Sequence, residues 1–407
     1  MRVKRDGEFD LAFVAYLCAQ NFRQSLIART VGISQSQVSR LRRRALDVGI
    51  LKRQIQFAVE RVEPDHLREI EVRLQPSELM DKIHRGTPGS RKRLRNVRIF
   101  DSGPDGVHAQ NARPGRHPFA SAAAPFVTTL MRKSKIVGVA WGSTIGHIIE
   151  ALDESNLNRS GEAAPEFCPL AGDPMQHSRL RFSSSRLAER LAERFGTGDT
   201  HTPSLAGVPA LLPQSFTDQE VATLKKLLIR FHDYALVFGR GGIPRDPNAL
   251  VRKVDTILTG AGPADHALGY PEGDTLVLDA EIEREKLEPL IFGDVCGALL
   301  LRPHLSKDER DLIDRIRVRW VGIDEAALEH CAKRSPEHGN VGVIAVCVGE
   351  KSHEVVIEAL RRGLINHLIL DRPLAEVLEA KFDEMIAAQD AAERKPARAG
   401  AGGGKRG

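Results

Sequence analysis

An α/β protein is what this sequence predicts, with a small helical head joined to a larger body on a doubly wound parallel sheet. Three observations carry that expectation. From Val97 onward, short apolar runs of strand character alternate with amphipathic helical stretches, the pattern of parallel strands with crossover helices. Upstream, residues 24–41 hold two short helical patterns around a glycine. The charge is divided as well: residues 1–100 carry a net +10, the tail 386–407 a net +3, and the part between them a net −8. A chain of 407 residues that is 42% apolar suffices for two or three domains, and 5% aromatic content leaves the core to Leu, Ile, Val and Ala.

The head, residues 1–60, comes first. Its apolar stretch 11–19 follows Asp6, Glu8 and Asp10 rather than a basic start, so it reads as a helix and not as a signal peptide. Two helices that cross sharply need a small residue at the crossing, which Ala28 supplies, and a turn residue that tolerates positive φ, which Gly32 supplies. Ile27, Val31, Ile33, Val38 and Leu41 fall where a shared core requires apolar side chains, and Ser34 falls where the second helix needs an N-cap. This is a helix-turn-helix. Its second helix would enter the major groove with Gln35, Ser36, Ser39, Arg40, Arg43 and Arg44, and Arg42 beside them. Gln and Arg can pair with base edges; Ser and the remaining Arg residues suit phosphates. The alternation over 49–57 suits a wing strand. A small helical domain used for protein contact would share the core pattern, but not the arginine cluster.

Residues 61–96 read as a connector helix, with Leu67, Ile70, Leu74, Leu79 and Ile83 near helical spacing. The body, 97–385, then offers a strand at 136–141 that turns through Gly142, Ser143 and Thr144 into a helix. Such a turn points backbone N–H groups outward, and with the helix dipole and two hydroxyls it forms an anion pocket. The same three residues also serve as an ordinary helix cap. The pattern recurs where strand 341–348 turns through Gly349, Glu350 and Lys351 into helix 352–362, closed by Gly363, with a further strand at 367–371. Strand 254–260 before Ala261-Gly262-Pro263, and Phe292-Gly293-Asp294, are read as strand ends with glycine turns. In a Rossmann-like sheet such turns share one edge, so Gly142, Ser143, Thr144, Gly260, Asp294 and Lys351 are the expected ligand-binding residues. A plain surface role for Lys351 is the alternative. Residues 234–244 look like an extra strand and Gly-rich turn, and the tail 386–407 like a disordered basic segment.

Five scattered cysteines without CxxC spacing argue against a disulfide framework or zinc ribbon and suit a reducing cytoplasm. No apolar run approaches the roughly 18–20 residues that cross a bilayer. The fourteen histidines show no metal-ligand spacing. No metal, cofactor or membrane partner is therefore expected.

Taken in order, the helix-turn-helix, the connector, the stretch Val139-Ala140-Trp141-Gly142-Ser143-Thr144, the turn Gly349-Glu350-Lys351 and the segment 359–371 resemble the SorC (DeoR-type) family of bacterial sugar-binding transcriptional regulators. The resemblance runs from about residue 10 to 380, and its C-terminal stretch is the most specific part. It implies a winged or related helix-turn-helix and an effector domain resembling sugar-phosphate isomerases. It also implies operator DNA and a phosphorylated sugar as partners, and homo-oligomers, dimers or tetramers. By family position, Ser143 and Thr144 would hold phosphate oxygens, Lys351 would contact the phosphosugar and Asp294 its hydroxyls. The chain departs from the pattern at 234–244, in the basic, Gly/Pro-rich segment 88–116, and after Gly262, where His266 is the nearest basic residue for a second phosphate.

Three functions fit. A transcription factor would bind operator DNA through the head and sense a sugar phosphate in the body. An isomerase-like enzyme with an accessory DNA-binding domain is the alternative; no P-loop, HExxH, GxSxG or paired-carboxylate motif supports it. A constitutive DNA-binding adaptor, its body serving oligomerisation, is the third. The first is the expectation.

Overall fold

The computed structural model describes residues 7–19, 24–51, 77–101, 117–152, 164–173, 181–197, 201–213, 215–240, 246–267 and 284–393. In the head, α1 (Gly7–Ala19), α2 (Gln24–Val31) and α3 (Gln35–Asp47) enclose one core. Phe13, Val14 and Leu17 from α1 meet Ile27, Ala28 and Val31 from α2, with Val38 and Ala45 from α3 and Leu51 beyond it. The Ala28 carbonyl accepts the N–H groups of both Gly32 and Ile33, and Gly32 takes φ 75°, the left-handed conformation that reverses the chain here. Of the residues expected to form the wing, 49–57, those from 52 onward lie outside the described residues, as does connector segment 61–76. The described part of the connector, 77–96, holds α4 (Ser77–Gly86), which buries Leu79 and Ile83, then a 3-10 turn at Pro88–Lys92 and the first residue of the opening strand.

The body is built on a six-stranded sheet in the order β1-β9-β8-β4-β2-β3. Its strands are β1 (Asn96–Phe100), β2 (Ile136–Val139), β3 (Glu166–Pro169), β4 (Thr256–Thr259), β8 (Gly342–Cys347) and β9 (His367–Asp371), all pairing in parallel. Alternate side chains enter two cores. On one face Val137, Val139, Leu258, Ile344 and Ile369 meet α5 (Pro118–Met131), α6 (Ser143–Glu150) and α7 (Ser184–Arg194). Ile257, Val343, Ala345, Leu368 and Leu370 face the other side. They meet α4, α9 (His232–Phe238), α11 (Glu325–His338), α12 (His353–Arg361) and α13 (Arg372–Glu393). Helices on both faces make the sheet doubly wound, as expected from its near-continuous apolar strands. Two further helices, α8 (Asp218–Leu228) and α10 (Lys307–Arg319), lie between these in the chain.

Several expectations need correction. Ala261–Pro263 and Ile291–Val295 are strands, β5 and β6, which pair antiparallel, and β6 pairs antiparallel in turn with β7 (Ala298–Leu301) in a second, three-stranded sheet. Phe292-Gly293-Asp294 is therefore the middle of a strand, not the end of one. Tyr234 and Phe238 sit in α9, where a spacing of four brings their rings to 5.0 Å at a tilt, so 232–238 is helix and not strand; residues 241–244 of the expected Gly-rich turn lie outside the described residues. The last helix passes the boundary at 385 and runs to Glu393, with Ile386 buried under it; residues 394–407 lie outside the described residues.

Candidate functional site

The sheet order reverses direction between β4 and β2: β2 leads outward to β3, whereas β4 leads the other way towards β8. In an open parallel sheet the crevice beyond the strand ends at such a reversal is where ligands bind. Three segments reach it: the turn after β2, the chain after β4, and the turn after β8.

After β2, Gly142 takes φ 129° as the N-cap of α6, and its N–H donates to the Phe182 carbonyl at 3.1 Å. Ser143 and Thr144 follow as the first residues of the helix, both half-buried. The N–H groups of a first helical turn lack intrahelical partners, so this end suits an anion. One turn further, His147 stacks on His117 with ring centroids 5.1 Å apart and meets the Phe182 ring edge-on. Burial, helped by the neighbouring His117, holds the His147 imidazole below its ordinary pKa.

After β8, Gly349 takes φ 82° and donates its N–H to both carboxylate oxygens of Asp371, each at 3.2 Å. Asp371 ends β9 and also accepts the Leu374 N–H at 3.3 Å, so one carboxylate ties this turn to the start of α13. Its pKa is raised, chiefly by burial. Lys351 leaves the turn exposed, and its Nζ donates to Asp265 Oδ2 at 2.7 Å. His266 Nε2 lies 3.3 Å from the same oxygen. Asp265 is the counter-ion that sequence reasoning missed; its only signal was an acidic residue three positions beyond Gly262.

After β4, Gly260 stands at the strand end, where an added Cβ would meet nothing closer than the Val346 carbonyl at 3.6 Å. The tight fit lies further on. A Cβ on Gly262 would come within 2.6 Å of Asp294 Oδ1, and one on Gly293 within 2.1 Å of the Gly262 carbonyl. Asp294 itself is buried and accepts the Gly297 N–H through Oδ2 at 2.8 Å, which fixes the β6–β7 hairpin. Thus Gly142, Ser143, Thr144, Gly260 and Lys351 share the carboxyl edge of the sheet, while Asp294 reaches it from the second sheet.

Trp141, just before Gly142, links the two sheets. It packs, like Trp320, against the apolar cluster that holds Ile291, Leu299, Ile313 and Ile316, and the two indoles meet edge to face at 5.3 Å. Trp320 also donates through Nε1 to the Ile323 carbonyl and covers Gly297.

In the head, Ser34 and Gln37 form a reciprocal capping box, so Gln37 is committed to the helix start. Gln35, Ser36, Ser39, Arg40, Arg43 and Arg44 are all exposed on α3, and Arg42 is half-buried. The sole acidic residue of α3 is its last, Asp47.

No protein-family model matches the chain, and no curated protein matches it. Among solved structures it is similar to the full-length sorbitol operon regulator SorC from Klebsiella pneumoniae, at 18% identity and a TM-score of 0.52. That likeness covers 92% of this chain and 100% of the other. A DeoR family transcriptional regulator from Listeria monocytogenes is matched at 17% identity and a TM-score of 0.50, over 76% of this chain and 99% of that one. The fold is therefore that of these regulators: a helix-turn-helix head followed by a Rossmann-like body.

Proposed function

We propose that a head and body of this fold act together as a DNA-binding transcriptional regulator whose operator affinity is set by a phosphorylated sugar. The observation that carries the reading is the end-to-end likeness in fold to a full-length operon regulator, head included. Two features of the chain support it. The exposed face of α3 is rich in Gln, Ser and Arg and holds no acid before Asp47, as a major-groove helix requires. The carboxyl edge of the sheet combines a helix N-terminus bearing Ser143 and Thr144 with a lysine, a set that suits one phosphate better than two.

On this reading Ser143, Thr144 and the α6 amides take the phosphate oxygens with Lys351, and Asp294 or Asp265 accepts sugar hydroxyls. Regulation follows if the sugar phosphate binds one arrangement of a homo-oligomer better than another, shifting the DNA-competent population. The protein would work in the cytoplasm, where such metabolites occur.

The test is a band shift at fixed, stated salt, because phosphate contacts make affinity salt-dependent. The DNA is the region upstream of the protein's own coding sequence, with and without a panel of sugar phosphates. A specific shift altered by one member supports the reading. No specific shift under any condition sinks it, and the panel is then assayed for turnover.

A further inference from the structure

The histidines show no metal spacing along the chain, yet the fold gathers three metal-binding side chains, none of them in the carboxyl-edge turns. His201, His232 and Asp233 offer ligand atoms that all lie within 4.8 Å of one another. From this juxtaposition we infer a divalent transition-metal site, of the zinc or cobalt class, formed by two imidazoles and one carboxylate.

The pair His201 Nε2 and Asp233 Oδ1 is already 2.8 Å apart. Two donors on one tetrahedral zinc ion, each bound at about 2.1 Å, stand about 3.4 Å apart, so this pair reaches a chelating bite by opening about half an ångström. The carboxylate is held in place from behind: Asp233 Oδ2 accepts the Ser204 N–H at 2.8 Å, which turns Oδ1 towards His201. Residues 201–205 are fixed in turn against α7. The Leu205 N–H donates to Ser185 Oγ at 2.9 Å, and Ser204 Oγ donates to Glu189 Oε1 at 3.2 Å. The third donor, His232, opens α9 beside Asp233, and its ring centroid lies 6.0 Å from that of His201. Both imidazoles are exposed, so rotation about their side-chain bonds closes the remaining gap without moving the backbone. Three protein donors leave a fourth position for water, the open geometry of zinc.

Binding replaces the proton between His201 and Asp233 with the metal, and the neutral imidazole then carries its single N–H on Nδ1. The bound ion ties residues 201–205 to the first turn of α9, whose Tyr234 and Phe238 pack against the core beneath the sheet. Thiols do not compete: all five cysteines are buried, and burial pushes those of Cys168, Cys331 and Cys347 up to about 12.

The experiment is calorimetric titration of zinc chloride into the untagged full chain after chelator treatment, with a cobalt(II) absorption spectrum as a second readout. His201→Ala, His232→Ala and the conservative Asp233→Asn are run beside it, each checked by circular dichroism and melting in chelator. The expected result is one zinc per chain, at least tenfold weaker in each histidine variant, with cobalt bands lost in the same variants and melting in chelator unchanged. No uptake by the parent chain overturns the inference. So does uptake that the histidine variants leave unaltered, which would leave His201 and Asp233 as a hydrogen-bonded pair only.

Discussion

On the proposed reading, Asp265 and Lys351 are the residues at which ligand binding competes with the protein itself. The lysine is exposed and its ammonium rests on a carboxylate 2.7 Å away, so a phosphate there competes with Asp265. An exposed pair of this kind contributes about 0–1 kcal/mol. Asp265→Asn is therefore expected to tighten phosphosugar binding by up to roughly fivefold at low salt, less at high salt, measured by direct titration. Weaker binding in that variant would mean that Asp265 holds sugar hydroxyls and does not block the lysine. In the head, Arg40 is exposed on α3, on the side proposed to face the groove. Arg40→Ala should cost about 1–3 kcal/mol on the specific site alone if the guanidinium reads a base. A uniform loss on all sequences would assign it to phosphate.

At the scale of elements, capping explains what was legible in the sequence. Ser34, Gly32 and Gly142 declare themselves because local chemistry fixes them: a hydroxyl that caps, and two positive φ angles at 75° and 129°. Ser34→Ala should lower the melting point of the head by the loss of about 1 kcal/mol, and operator affinity with it, since α3 starts on this cap. A melting curve of the full chain that separates head from body checks this; an unchanged head transition would show that the α1 packing carries α3 alone. Ala261-Gly262-Pro263 was illegible for the opposite reason. Gly and Pro read as a turn, but the segment pairs with β6, and Gly262 is there because Asp294 and the Gly293 backbone approach it closely. Nonlocal pairing of that kind leaves no mark in the neighbouring residues. Residues 234–238 failed similarly, since a short apolar run fits a strand or a buried helix equally well. The counter-ion Asp265 and the tether Asp371 became visible only once β4, β8 and β9 lay side by side.

For the whole molecule, the two edges of the sheet have opposite characters. The carboxyl edge gathers the candidate ligand groups; the other holds His367, buried at the start of β9, with Asn96 Nδ2 donating to its Nδ1 at 3.0 Å. Burial, with Arg95, Lys133 and Arg98 nearby, pushes its pKa down to about 3. The unfolded chain takes up this proton below about pH 6.5 and the folded chain refuses it, so stability falls as pH drops from there, by up to about 1.4 kcal/mol per unit. Asp371 works against this at the acid end, because its raised pKa favours the folded state on protonation. His367→Asn should flatten the fall in melting temperature between pH 6.5 and 4.5; an unchanged slope would move the acid sensitivity elsewhere. The joint between the two sheets has an optical consequence. The chain has two tryptophans, and both stand in that joint, Trp141 one residue before the Gly142 turn and Trp320 against it. Indole emission from this protein is thus a single-site signal, with no distant chromophore to dilute it. A ligand that seats on Gly142 should shift its wavelength or yield without any label.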